Sequence, residues 1–164
     1  MSEARIAVIG LGHALLGDDA VGVAVVAALE RSYVIPDSVA LVDAGSSGLD
    51  LGSYLLDREQ VIFVDALVDS APPGTVRTVG HDELLEARST GPRLAPHEPA
   101  ICDALALVNM AGRGPSEALL VGIVPGNTEV GVELSPRVSE AVPRALDEIV
   151  RHLLRFGVDL APAP

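Results

Sequence analysis

Four residues of chemically capable type fall at comparable places along the chain: Asp19, Asp43, Asp65 and His97. Asp43 ends the apolar run from Val39, and Asp65 ends the run Gln60 to Asp65 (QVIFVD). Asp19 follows the first apolar run and its glycine loop, and His97 opens a segment with helical spacing. In open α/β sheets, sites form outside the carboxyl ends of the strands, so side chains at these ends share a rim. Two carboxylates and an imidazole make a mixed oxygen and nitrogen donor set. Such a set suits a borderline divalent ion, nickel or zinc, with positions left open for water or substrate. Taken singly, each Asp also reads as an ordinary turn former or helix cap, and His97, after Pro96, as a loop residue.

The loop Gly10-Leu-Gly12-His-Ala-Leu-Leu-Gly17-Asp18-Asp19 lies between a strand and a helix, where nucleotide loops occur. A dinucleotide loop would need glycine at position 15, which is Leu15. A Walker loop would need Lys after Gly17, and two aspartates stand there instead. Carboxylates there repel phosphate, so the loop suits a cation, or else Asp18 or Asp19 caps the following helix.

Other nucleophiles fit poorly. Cys102, among Ile101, Ala104 and Leu105, reads as a small core residue kept reduced. Ser46 and Ser47 lack the GxSxG frame, and His97-Glu98-Pro99 does not continue into HExxH. His81 and His152 read as surface residues.

The elements that must position these groups follow from the apolar pattern. Ile6 to Gly10 is a short apolar run of the kind found in a strand buried on both faces, Val39 to Asp43 and Gln60 to Asp65 read as further strands, and Ala118 to Val124 as the last central one. Val76 to Val79 adds a strand at an edge. Helical spacing begins at Asp19, with Val21, Val25, Ala28 and Leu29 on one face, and recurs at Leu49 to Leu56, His97 to Ala111 and Ser135 to Phe156. Ser135-Pro136 is a helix-start signature, and Pro143 predicts a kink or restart. The expected fold is α/β: a single domain over 1–164, in three αβα layers, with a mostly parallel twisted sheet of about five strands. Residues 158–164 are expected to form a loose tail.

The 164 residues carry 23 acids and 11 bases, a formal net charge of -12, and all the bases are Arg. Lysine is absent, which removes Schiff-base and Ser-Lys chemistry. The acidic balance argues against nucleic acid or anionic membrane as partner. Tyr33, Tyr54, Phe63 and Phe156 are too few to stack bases. No apolar stretch reaches membrane-spanning length and no export signal is present, so a cytoplasmic protein is expected.

Together these residues resemble the hydrogenase maturation endopeptidases, which trim the C-terminus of nickel-iron hydrogenase large subunits. Ile6 to Ala28 (IAVIGLGHALLGDDAVGVAVVAA) is similar to the family's opening strand, GxGN loop, acidic pair and helix start. Val42-Asp-Ala-Gly-Ser-Ser-Gly48 is similar to its DGGT segment, Ile62-Phe-Val-Asp-Ala66 to its third-strand aspartate, Pro96-His97 to its metal-site histidine, and Val121 to Pro125 to its last strand. His13 replaces the usual Asn, and Ser46 stands where Thr is usual.

The resemblance implies a phosphorylase/hydrolase-like fold. It assigns the nickel-contacting positions to Asp19, Asp65 and His97, and implicates Asp43 in activity. It also implies that the nickel is supplied by the substrate, the precursor of a hydrogenase large subunit. Another divalent ion such as zinc or cadmium could occupy the same donors. His13 is expected to be structural or peripheral, and a monomer is favoured. The competing readings are a non-catalytic nickel-sensing chaperone and a Rossmann-type nucleotide module, the second disfavoured by Leu15 and the missing Lys.

Overall fold

In the computed structural model, which describes residues 4–46, 50–90 and 95–164, the sheet core comes from the apolar runs. The strands are β1 (Ile6–Leu11), β3 (Val39–Gly45), β4 (Gln60–Ala66), β5 (Val76–Val79) and β6 (Glu117–Ile123), in spatial order β3-β1-β4-β6-β5. All neighbours run parallel except β5, which is antiparallel to β6 and closes one edge. Every residue of β1 is buried, and so is every residue of β4 and β6 after the first. Runs without polar alternation are what a sheet covered on both faces requires.

Two helical layers provide the cover. On one face, α1 (Val21–Ser32) and α5 (Pro136–Arg155) pack Val21, Val25, Leu29, Val138, Ile149 and Leu153 against Ile6, Val8, Ile62, Val64 and Val121. On the other, α2 (Leu51–Leu55), α3 (His81–Thr90) and α4 (Glu98–Met110) place Leu51, Leu55, Leu84, Ile101 and Leu105 on Ala7, Ile9, Val61, Phe63 and Leu120. The sheet residues alternate between the two clusters with the period of two that a pleated strand imposes. Each large side chain buried here contributes about 1.5–3 kcal/mol. The three-layer α/β architecture with a five-stranded, mostly parallel sheet is therefore as the apolar pattern predicts.

Several details differ from the sequence reading. A 3₁₀ turn, Gly17–Ala20, precedes α1, and neither Asp18 nor Asp19 caps that helix. Helix α3 follows β5 directly; its acidic surface residues carry little apolar periodicity, and among its described side chains Leu84 is the one fully buried. Helix α5 runs unbroken through Pro143, so the missing N–H bond to Ser139 does not end it. Leu49, where the second helix was expected to begin, lies outside the described residues.

The C-terminal residues are not loose. Val158 and Leu160 are buried, and β7 (Ala161–Pro162) pairs antiparallel with β2 (Tyr33–Val34). Two apolar side chains inserted beneath α1 and α5 outweigh what the Pro and Ala composition suggested. His152 also departs from expectation. It is half-buried with Nε2 3.3 Å from Thr78 Oγ1, and burial, with Arg155 next, holds its pKa below the ordinary histidine value. His81 is likewise partly buried, its Nδ1 accepting the N–H of Ala118 at 3.0 Å. Cys102 is buried in the core, as expected, with its Sγ 3.5 Å from Leu84 O.

Candidate active site

The carboxyl ends of β3, β1 and β4 lie side by side, and all four singled-out residues sit on or near this rim. The parallel register sets Asp43 level with Gly10, and Gly10 level with Val64, one residue before Asp65. Asp43 and Asp65 are thus two inter-strand spacings apart, about 10 Å, with the end of β1 between them.

Asp65 is fully buried at the end of β4. Its Oδ1 accepts the N–H of Ala66 at 2.8 Å, and both carboxylate oxygens face His97 Nδ1, at 3.1 and 3.0 Å. His97 is the residue before α4, so the helix start delivers the imidazole to the strand end. Burial pushes the Asp65 carboxyl above its ordinary range, opposed by the hydrogen bond and charge of His97. The same hydrogen bond raises the His97 pKa, outweighing the burial that opposes it. With Asp65 ionised and His97 neutral, Nδ1 carries the bridging hydrogen and Nε2 the lone pair. This is the usual arrangement behind a metal-binding histidine.

Asp19 reaches the same place by a different route. Gly12 has φ +135, and a Cβ there would lie 1.8 Å from Asp19 O, so only glycine allows the loop to fold back on the 3₁₀ turn. Gly22 lets the first turn of α1 lie directly on the sheet: a Cβ would stand 2.1 Å from Val64 O and 2.4 Å from Leu11 O. Three residues earlier, the Asp19 carboxylate is set near the end of β4. Its charge is felt at both Asp65 and His97, raising both, while its Oδ2 accepts the N–H of His13 at 2.8 Å.

Asp65 and His97 are therefore brought into contact, with Asp19 as a charged neighbour. Among the described residues, no group of three or more His, Cys, Asp or Glu side chains stands in position to hold a metal ion. Asp43 is exposed, its Oδ1 accepting the N–H of Gly45 at 3.0 Å. With Gly12, His13, Ala14, Val23 and Ser46 it lines a pocket of about 150 Å³. His13 turns its Nδ1 to the N–H of Leu15 at 3.1 Å, organising its own loop. Ser47 and Gly48 lie outside the described residues.

Asp18 proves to have the other half of the work. Fully buried, it accepts hydrogen bonds from the N–H groups of Gly126, Asn127 and Ser135 and from the Ser135 hydroxyl, at 2.7–2.8 Å. Burial pushes its pKa up, but the bonds from Ser135, Asn127 and Gly126 together hold it below the ordinary carboxylate range. Ser135 does stand at the start of α5, but its hydroxyl is spent on this carboxylate and makes no cap bond to the helix. Sequence offered no means of telling Asp18 from Asp19, because the partners of Asp18 lie more than 100 residues away.

Among the described residues, no helix is long and apolar enough to cross a membrane. Residues 23–152 match the family model described as hydrogenase maturation protease. The chain is 35% identical over 159 residues to the Hydrogenase 2 maturation protease of Escherichia coli (strain K12), covering 96% of each. Its fold superposes on the hydrogenase maturating endopeptidase HybD from E. coli with a TM-score of 0.89, at 32% identity, covering 96% of this chain and 97% of that one. The [NiFe] hydrogenase maturation protease HybD from Thermococcus kodakarensis gives a TM-score of 0.73 at 25% identity, over 91% of this chain and 98% of that one. A paired carboxylate and imidazole on the sheet rim, a family match through most of the chain and relatives matched nearly end to end agree: this chain belongs to the hydrogenase maturation protease family.

Proposed function

We propose that this protein is the endopeptidase that removes the C-terminal extension from the nickel-loaded precursor of a nickel-iron hydrogenase large subunit. The nickel is part of the substrate. Asp19, Asp65 and His97 engage it, so that a precursor is recognised once it carries its metal. The observation carrying this reading is the Asp65–His97 pair on the rim, with the Asp19 charge acting on both. A rim with three donors and open positions can meet an ion that already has ligands, whereas a closed four-ligand cage cannot. Zinc or cadmium suits the same donors when offered alone.

Asp43 is the general base in this reading, or the ion itself polarises the attacking water. Water adds to the scissile carbonyl, its proton passes to the base, and the released amine takes a proton as the bond breaks. The exposed position of Asp43 and its pocket, across β1 from the Asp65–His97 pair, support the role. In this reading the protein works in the cytoplasm, as a monomer.

The test mixes purified protein with nickel-loaded and nickel-free precursor and follows mass. Loss of a C-terminal peptide only from the nickel-loaded form is expected. Stable binding with unchanged mass would instead identify a nickel-sensing assembly chaperone. Equal cleavage of both forms would overturn recognition through nickel.

A further inference from the structure

The rim carries a feature that the metal and base assignments do not use. Val130 and Val132 are 88% and 77% exposed, and Leu15, beside them, is 55% exposed. Solvent-facing loops are ordinarily polar, and single exposed apolar residues are common, but here three belong to two segments joined backbone to backbone. Between the valines, Gly131 donates its N–H to Leu15 O and accepts the N–H of Gly17, both at 2.9 Å. The N–H of Asp18 bonds Asn127 O at 2.8 Å, and the Asp18 carboxylate holds both ends of the 126–135 segment through Gly126, Asn127 and Ser135. Leu15 lies between His13 and Asp19, on the loop that carries the candidate site. Exposed Glu129 and Glu133 flank the valines.

We infer that Leu15, Val130 and Val132 form a docking platform for the folded body of the protein substrate, which offers them an apolar surface framed by Arg or Lys. The inference rests on the proposed protease reading for its occupant. Three observations point to a protein partner. The platform is continuous with the loop that presents Asp19. Its backbone is tied in place, so little ordering entropy is lost when apolar surface meets it. Its acidic frame selects a basic counterpart and leaves the apolar centre to supply affinity. The platform would hold the precursor while the flexible extension is cut, so it acts on capture and leaves the chemical step alone.

The experiment compares wild type, the double variant Val130→Asp/Val132→Asp, and Val34→Asp. Val34 is an equally apolar exposed residue on β2 at the opposite end of the molecule. Circular dichroism checks that each variant is folded. Cleavage of nickel-loaded precursor is read as KM and kcat, and precursor binding is read separately by biolayer interferometry on the intact proteins. The double variant is expected to raise KM and weaken binding by about tenfold or more, a change typical of losing interface anchors, with kcat unchanged. Val34→Asp is expected to match wild type. Charge reversal by Glu129→Lys/Glu133→Lys is expected to slow association and reduce its salt dependence. Wild-type KM and binding in the double variant would overturn the platform. Wild-type binding without cleavage, lost in the double variant, would sustain the platform and overturn the protease reading. No binding by wild type would overturn both.

Discussion

His97 Nδ1 stands 3.0 Å from Asp65 Oδ2 although 32 residues separate them, and the contact joins the end of a buried strand to the start of a helix. Asp65 fixes the ring's tautomer and orientation, so the two residues act as a unit. His97→Ala and Asp65→Asn are each expected to lower cleavage of nickel-loaded precursor by about 10–100-fold or more. The double variant should cost little beyond the worse single one, because coupled residues are not additive. Steady-state kinetics on the four proteins of the cycle decides; independent, multiplying losses would mean that the pair is not a functional unit.

Gly22 permits the approach of α1 to the sheet that sets Asp19 near Asp65. Gly22→Ala places a methyl group against the backbone oxygens of Val64 and Leu11, which have no flexible end to yield. A stability loss of about 1–3 kcal/mol is expected from overpacking. Activity should fall further than stability predicts, because Asp19 moves with the helix. Urea unfolding together with turnover at a temperature where the variant stays folded separates the two effects. Wild-type activity in the variant would show that the position of Asp19 does not depend on this approach.

Asp18→Ala strands three N–H groups and a hydroxyl that now share one carboxylate. Losing these charge-assisted bonds is expected to destabilise the fold by about 3 kcal/mol. The pH dependence has a definite sign. Asp18 holds its proton less tightly folded than unfolded, so its contribution is complete above the ordinary carboxylate pKa and is lost as pH falls through the lower folded value. Asp18→Asn should therefore flatten the acid limb of a stability profile measured by thermal unfolding. An unchanged acid limb would locate the acid sensitivity elsewhere.

Removal of residues 158–164 takes away the buried Val158 and Leu160 along with the β2–β7 pairing. At about 1.5–3 kcal/mol for each large apolar side chain, a loss of about 3–6 kcal/mol is expected. Chemical denaturation of the truncated chain measures it. A midpoint within error of wild type would restore the view of this segment as a tail.

The sheet was legible because β1, β4 and β6 are buried on both faces, and such strands carry continuous apolar runs that little else imitates. The end of β4 could be found for the same reason, and that of β3, an edge strand only partly buried, from its short apolar run, which is why Asp43 and Asp65 stood out. The pairing of Asp65 with His97 was only anticipated as a shared rim, because the meeting depends on how α4 enters the fold. Asp18 and Asp19 are neighbours with the same side chain, and their opposite surroundings come from Gly12, Gly22 and the distant 126–135 segment. Helix α3 carries no legible apolar stripe, since among its described side chains burial falls on Leu84 and periodicity needs several anchors to register.

The pairing of β7 with β2 fixes residues 161–162 far from the candidate site. Helix α1 leads away from the rim, and β2 lies where the chain turns back to enter β3, so the paired strands sit at the far pole from Asp65 and His97. A further bond, from the N–H of Ala163 to Ser32 O at 2.9 Å, fastens the final residues there. Residues 158–164 are thus fastened into structure at the pole away from Asp65 and His97. A probe attached to the β2–β7 pair would therefore stand clear of the rim and report on folding without touching the candidate site.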